Sequence, residues 1–559
     1  MKKILFTFSL FFSIVCASHA QFTEDKPKLV VGIIVDQMKY DYISRYWDNF
    51  GDDGFKKLVN EGYFVRNGQY NYAPTVTGPG HASVYSGTSP AYHSIVQNHF
   101  YDREKGKSVY CVDDERYETV GAEGNYGKKS PYRLAVTNLS DELKWASNFR
   151  SKVVTVSIKD RSAVLPAGHK ADGAYWLDDK SGNWITSSFY MKELPEWLSE
   201  MNSAKKRPID EYMKGKWELS LPIEKYTASM PDDNAYESLM PGKKTPTFPY
   251  DLKKMLAADR VRQKSGKKYD LLKSTPYGNT VVTEMAMKIV DNENMGQDNF
   301  TDLLGVSYSS TDYAGHAFGP QAIEVEDMYI KLDQEIATLI NHLDQKVGKG
   351  KYVIFLTADH AGAQNTNFMK NEMNFEVENI KSKDDSKVIT DYLVKKYGEG
   401  KWIVSFYSGS TYLNRDLIKE KGLDLEEVQL AAAEALMTMP QYANAIIGKD
   451  LERNEYTLGY KGLIYNGFNP HYSPDVTGVL KSHFMDYKKT GTSHFSPFKY
   501  DTHVPIMFYG WKIEHGYTHA PHTVTEIAPT ICSFLNMTYP SGCYSDPILL
   551  PLEDDDDND

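Results

Sequence analysis

Cysteine is scarce: four in 559 residues, none in a Cys-x-x-Cys pair that would seat a metal. Disulfides therefore cannot carry this fold. If a leader containing Cys16 is removed, Cys111, Cys532 and Cys543 remain, and only Cys532 and Cys543 are close enough in sequence to suggest a bridge in an oxidising compartment. Basic charge is also short. Lys and Arg total 63 against 75 Asp and Glu, a net charge of −12, which argues against a nucleic-acid partner. The tail "EDDDDND" at 553–559 adds to that excess and reads as a solvated end. Beyond the N-terminus no apolar run is long enough to span a bilayer, so stable membrane insertion is not expected.

The N-terminus itself is informative. "MKK" precedes "ILFTFSLFFSIVCA", and Ser18 and Ala20 stand at the −3 and −1 places of a cleavage site. A charged region, an apolar region and small exit residues make a secretory signal peptide over 1–20. The mature chain is expected to be exported, periplasmic or secreted, and soluble.

Five β-branched runs read as buried strands: "KLVVGIIVD" (28–36), "KVVTVSIKD" (152–160), "LLGVSYSSTD" (303–312), "KYVIFLTADH" (351–360) and "HVPIMFYG" (503–510). Apolar runs without alternation fit a parallel sheet covered on both faces. A helix follows from Val325, Met328, Leu332, Ile336, Leu339 and Leu343, spaced by three and four. The expected fold is one α/β domain over 21–552, a mostly parallel central sheet with helices on both faces. Two stretches without the strand–helix rhythm, about 172–280 and 365–490, are expected to be insertions, a cap and a side lobe.

Asp36, Asp312 and Asp359 each close an apolar run, and ligands in open α/β sheets bind beyond the carboxyl ends of strands. A single aspartate there is ordinarily a turn former or helix cap. Three, with His316 four residues after Asp312 and His360 directly after Asp359, point to metal. Carboxylate with imidazole suits zinc. Asp36, Asp359 and His360 make one site. Asp312 and His316 make another that needs a further histidine, for which His494 in "GTSHFSPFKYDTHVPI" is preferred over His503. Thr77, in "NYAPTVTGPGH", stands where Pro74 and Gly78-Pro79-Gly80 break the chain. A threonine hydroxyl is a weak nucleophile that a neighbouring cation can activate, and a helix N-terminus there would favour an anion.

This constellation resembles the alkaline phosphatase superfamily, and within it the PafA-type bacterial enzymes. "PTVTGPGH", "NHFYDREKGKSVYC", "SIKDRSAVLPAGH", "TDYAGHAFGP" and "TADHAG" fall in that family's order along nearly the whole mature chain. The resemblance implies two zinc ions per chain, held by Asp36, Asp359 and His360 and by Asp312, His316 and His494, with Thr77 as the metal-activated nucleophile. It implies phosphate contacts from Asn98, Lys159 and Arg161, and a phosphothreonine intermediate. Departures fall at Gly78-Pro79 after the nucleophile and at Ala361 after His360.

Charge then favours phosphate monoesters as small-molecule substrates. Two Zn²⁺ balance three carboxylates and a Thr77 alkoxide, so a dianionic monoester needs further positive charge. Lys159 and Arg161 provide it, and would project to one side if the strand continued through them. A phosphodiesterase or nucleotide pyrophosphatase of the same superfamily is the alternative, and a non-catalytic binding protein on this fold a more distant one. A sulfatase is excluded, since no C/S-x-P-x-R run occupies the nucleophile position. His81 and His169 are expected to be structural or to lie beside the site.

Overall fold

Residues 29–35 are Leu-Val-Val-Gly-Ile-Ile-Val, all buried. A strand apolar on both faces must lie inside a covered sheet. The computed structural model describes residues 26–553 and puts this strand at the centre of an eleven-stranded sheet. The signal peptide expected at 1–20 and residues 554–559 of the tail lie outside the described residues.

The principal strands are β1 (Leu29–Val35), β2 (Tyr63–Gln69), β3 (Val153–Ser157), β4 (Gly173–Leu177), β5 (Trp184–Ser187), β6 (Asp302–Tyr308), β7 (Tyr352–Thr357) and β8 (His503–Gly510). Their order is β2-β8-β7-β1-β6-β3-β4-β5, with short strands at both edges. β7, β1, β6, β3 and β4 are parallel, the mostly parallel sheet the apolar runs predict. β8 departs from the expectation by running antiparallel to β7 and β2. The chain reaches β8 at the edge where β7 ends: the Ala361 amide donates to the Asp501 carbonyl at 2.9 Å. From there it can only run back across the sheet.

Helices surround the sheet. α1 (Thr77–Ser86), α2 (Asp160–Ala167), α3 (Ser310–Phe318) and α4 (Ile323–Leu343) carry or flank the expected site residues. The six-residue apolar stripe of α4 is wholly buried.

The insertions differ from expectation in extent. β4 and β5 lie within the stretch expected as a cap, yet both are strands of the main sheet. The side lobe is a unit with its own core. A four-stranded sheet (403–407, 410–413, 442–447 and 476–480) packs with Ile389, Leu393, Trp402, Val428 and Leu436. Cys532 and Cys543, the pair the sequence allowed, are free thiols, as is Cys111.

Candidate active site

The expected metal ligands meet at the carboxyl ends of the central strands. Asp36 follows β1, and Asp359 and His360 follow β7. β6 stops at Tyr308, so Asp312 is not at the strand's end as predicted; it lies in the first turn of α3. The effect is favourable. Helical spacing sets Asp312 and His316 on one face, with His316 Nε2 3.1 Å from Asp312 Oδ1. His494 arrives from the loop before β8, its Nδ1 held 2.6 Å from the Thr75 carbonyl. Its ring stacks on His360 at 3.5 Å between centroids.

Two groups of three result: Asp36, Asp359 and His360, and Asp312, His316 and His494, the donor atoms within 4.8 Å of one another in each group. The first is fully buried. Its Asp36 Oδ1, Asp359 Oδ2 and His360 Nε2 have no hydrogen-bond partner, although buried polar atoms are ordinarily paired. Burial, and then the charge of Asp36, push the Asp359 carboxyl well above its ordinary pKa. Oxygen and nitrogen donors that are unpaired, buried and mutually repelling are what a divalent cation would satisfy. His503, the rejected candidate, is packed instead, with its ring stacked on Tyr40 and its Nε2 3.0 Å from the Arg66 carbonyl.

Thr77 opens α1, as the chain break suggested. Val76 is extended at the N-cap, and Pro79 falls in the first turn, where its missing N–H costs nothing. The Gly78 amide donates to Asn98 Oδ1 at 2.7 Å, so the start of α1 fixes the orientation of the Asn98 amide. Arg161 Nη2 lies 3.3 Å from Thr77 Oγ1. Gly80 permits the approach of α1: a Cβ there would come within 2.2 Å of the Asp359 carbonyl oxygen.

Lys159 and Arg161 do not continue the strand. β3 ends at Ser157, Lys159 caps α2 and Arg161 lies in its first turn. Their side chains diverge accordingly. The Lys159 ammonium sits between Asp36 Oδ2 at 2.7 Å and Asp312 Oδ2 at 2.6 Å, where buried acids draw the nearest cation. Burial opposes its charge, but Asp312 and Asp36 outweigh burial and hold the ammonium above its ordinary pKa.

Two contributors were not legible in the sequence. Tyr110 Oη accepts from Arg161 Nη1 at 3.0 Å and donates to Asp160 at 2.5 Å, and Lys129 pairs with the other Asp160 oxygen at 3.3 Å. Gln37 links the two donor groups, its amide N–H 3.1 Å from Asp359 and its Nε2 2.8 Å from Asp312. It does so at φ +62°, a left-handed conformation unusual for glutamine. The only sequence signal was its place next to Asp36. His81 is structural: it bonds the Thr77 carbonyl and Ser307 at 2.9 Å each, and burial pushes its pKa down to about 4. His169 bonds Asp141, outside both donor groups.

Comparison with known proteins gives the family. The profile of the family described as type I phosphodiesterase / nucleotide pyrophosphatase matches residues 30–494. Alkaline phosphatase PafA of Elizabethkingia meningoseptica is 41% identical over 94% of both chains. A PafA crystal structure superposes with TM-score 0.88 at 40% identity, covering 94% of this chain and 99% of the other. Alkaline phosphatase PhoV of Synechococcus elongatus is 38% identical over 93% of this chain and 92% of its own. A Myroides odoratus protein named calcium-transporting ATPase is 39% identical over 95% of both. With matches this broad and donors so arranged, the chain belongs to the type I phosphodiesterase / nucleotide pyrophosphatase family, on the branch of the PafA-like alkaline phosphatases.

Proposed function

We propose that this protein is a metal-dependent phosphatase that hydrolyses phosphate monoesters through a phosphothreonine at Thr77. The observation that carries the reading is the approach of Arg161 to the Thr77 hydroxyl at a helix N-terminus, beside two carboxylate–imidazole donor groups. Asp36, Asp359 and His360 would hold one divalent cation and Asp312, His316 and His494 a second. Their mixed oxygen and nitrogen donors favour zinc, which supplies Lewis acidity and lowers the pKa of oxygen acids beside it.

The chain's own groups do the rest. Thr77 Oγ1 attacks phosphorus, forming an O–P bond as the bond to the ester oxygen breaks and that oxygen departs with a proton. Water then cleaves the phosphothreonine, restoring the hydroxyl and releasing inorganic phosphate. Arg161 donates to phosphoryl oxygens in a planar fork, held in place by Tyr110. Asn98, its carbonyl engaged by Gly78, presents its amide N–H₂ to the same phosphoryl group. With the acids engaged by cations, the Lys159 ammonium has donors for a monoester's second charge.

Comparison of kcat/KM for p-nitrophenyl phosphate and bis-p-nitrophenyl phosphate tests the substrate class. Preference for the monoester is expected; preference for the diester would make the protein a phosphodiesterase. The leader read at 1–20 supports export to the periplasm or beyond. Among the described residues no helix is long and apolar enough to cross a membrane.

A further inference from the structure

A cleft opens beside the donor groups, lined by residues of both the main domain and the side lobe. His494 and Pro74 form the wall toward the catalytic residues, so the cleft adjoins both a donor group and the loop that leads to Thr77. Its other walls include Tyr407, Ile464, Phe468, Val479, Met485 and Phe495.

Two features suggest an occupant. Neither lysine nor arginine lines the cleft; its charged side chains are Asp486 and Asp501, and Asp501 is already engaged by Ser496. A polyanion would find no positive partner there. The second is Phe495, directly after His494, with φ +135°, a conformation rare and strained for an aromatic residue. This turn sets the Phe495 ring edge-on to Tyr407 at 5.4 Å, while His494 stays with its donor group. An aromatic pair is thereby placed next to the reaction centre.

We propose that this cleft receives the organic group of the ester, and that it favours aromatic or bulky apolar alcohols over polyanionic ones. The proposal rests on the phosphatase reading. In-line displacement sends the departing oxygen away from Thr77, so its organic substituent needs room outside the phosphate contacts. The cleft offers that room with an aromatic lining that carries no lysine or arginine. An aryl group buries apolar area against Tyr407 and Phe495, whereas a phosphorylated one faces Asp486.

The test compares kcat/KM for 2-naphthyl phosphate with that for methyl phosphate, in wild type and in Tyr407→Ala. Taking the ratio between proteins cancels the intrinsic reactivity of each ester. Tyr407 is half exposed, so its truncation spares the fold. The naphthyl-to-methyl ratio is expected to fall about five- to tenfold. In Thr477→Lys, which adds a cation to the lining, kcat/KM for fructose 1,6-bisphosphate relative to methyl phosphate is expected to rise by a similar factor. Fluorescence titration with 2-naphthol reads the cleft without turnover, and Tyr407→Ala is expected to bind it several-fold more weakly. Ratios within twofold of wild type, with unchanged naphthol affinity, would overturn the cleft proposal while leaving the phosphatase reading intact. If wild type hydrolysed neither ester, the phosphatase reading would fail and the cleft proposal with it.

Discussion

Arg161 lies within 3.3 Å of the Thr77 hydroxyl, and it is not held by its own helix alone. Tyr110 fixes one arm of the guanidinium, Asp160 accepts from Tyr110, and Lys129 balances Asp160. Loss of a donor aimed at developing charge costs about a hundred- to a thousandfold in rate, so Arg161→Ala should lower kcat/KM by about that factor. Tyr110→Phe removes only the brace and should cost about tenfold, with inhibition by inorganic phosphate weakened in parallel. Thr77→Ala should abolish monoesterase turnover, by at least about a thousandfold, while bound metal stays at the wild-type level. Residual activity near wild type would remove Thr77 from the nucleophile's place. At this scale residue type was the readable signal. Carboxylates, imidazoles, a threonine and an arginine reveal chemistry wherever they stand, whereas Gln37 and Tyr110 are ordinary residues whose roles exist only through their neighbours.

Elements meet in two places that can be tested. α1 crosses β7's end at Gly80, where any side chain would strike the Asp359 main chain. Gly80→Ala must therefore displace Asp359 or tilt the helix, an overpacking cost of about 1–3 kcal/mol. Expected are reduced metal content and lower kcat together; normal metal occupancy with normal kcat would show that the close approach is dispensable. The second place joins the segment after β5 to α4. Glu324, in the first turn of α4, accepts from Tyr250 of that segment, and Glu237 approaches from the same segment. Asn234, Asp232, Asp233 and Asp327 also face this pair. Burial pushes Glu324 up to about 8, and burial with the charge of Glu324 pushes Glu237 up to about 10. A carboxyl raised in the folded state binds protons that the unfolded chain has released, so its contribution is complete below pH about 4.5 and fades as pH rises through 8 to 10. Glu237→Gln keeps the hydrogen-bonding shape without the charge. Its thermal midpoint is expected to exceed wild type's at pH 9 and to approach it at pH 5. Parallel pH curves for the two proteins would contradict this. None of it was visible in the sequence, where 172–280 read only as polar, aromatic and rich in Lys and Pro.

For the whole molecule, the donor groups tie together β1, α3, the end of β7 and the loop before β8, segments drawn from 36 to 494. A cation bound there opposes global unfolding. At a free concentration a thousandfold above its dissociation constant, each ion adds about 4 kcal/mol. Chelation should lower the thermal midpoint, and zinc should restore both the midpoint and turnover. Elemental analysis of the purified protein is expected to find two zinc ions per chain. A midpoint unmoved by chelation, with turnover intact, would mean that the two groups hold no metal of consequence.

The amino-acid sequence alone determined the central strands and which residues could serve as donors. Apolar runs without alternation have nowhere to go but a covered sheet, and Asp36 and Asp359 lie just beyond theirs, whereas Asp312 falls in the first turn of α3. Folding decided what depends on distances between remote segments: the reversal of β8, the assignment of β4 and β5 to the sheet, and the bridging position of Lys159. It also decided the aromatic cleft, whose walls come from segments between 73 and 501. Local patterning fixes which residues can form a strand or bind a cation. Only packing brings segments hundreds of residues apart to within a few ångströms of one another.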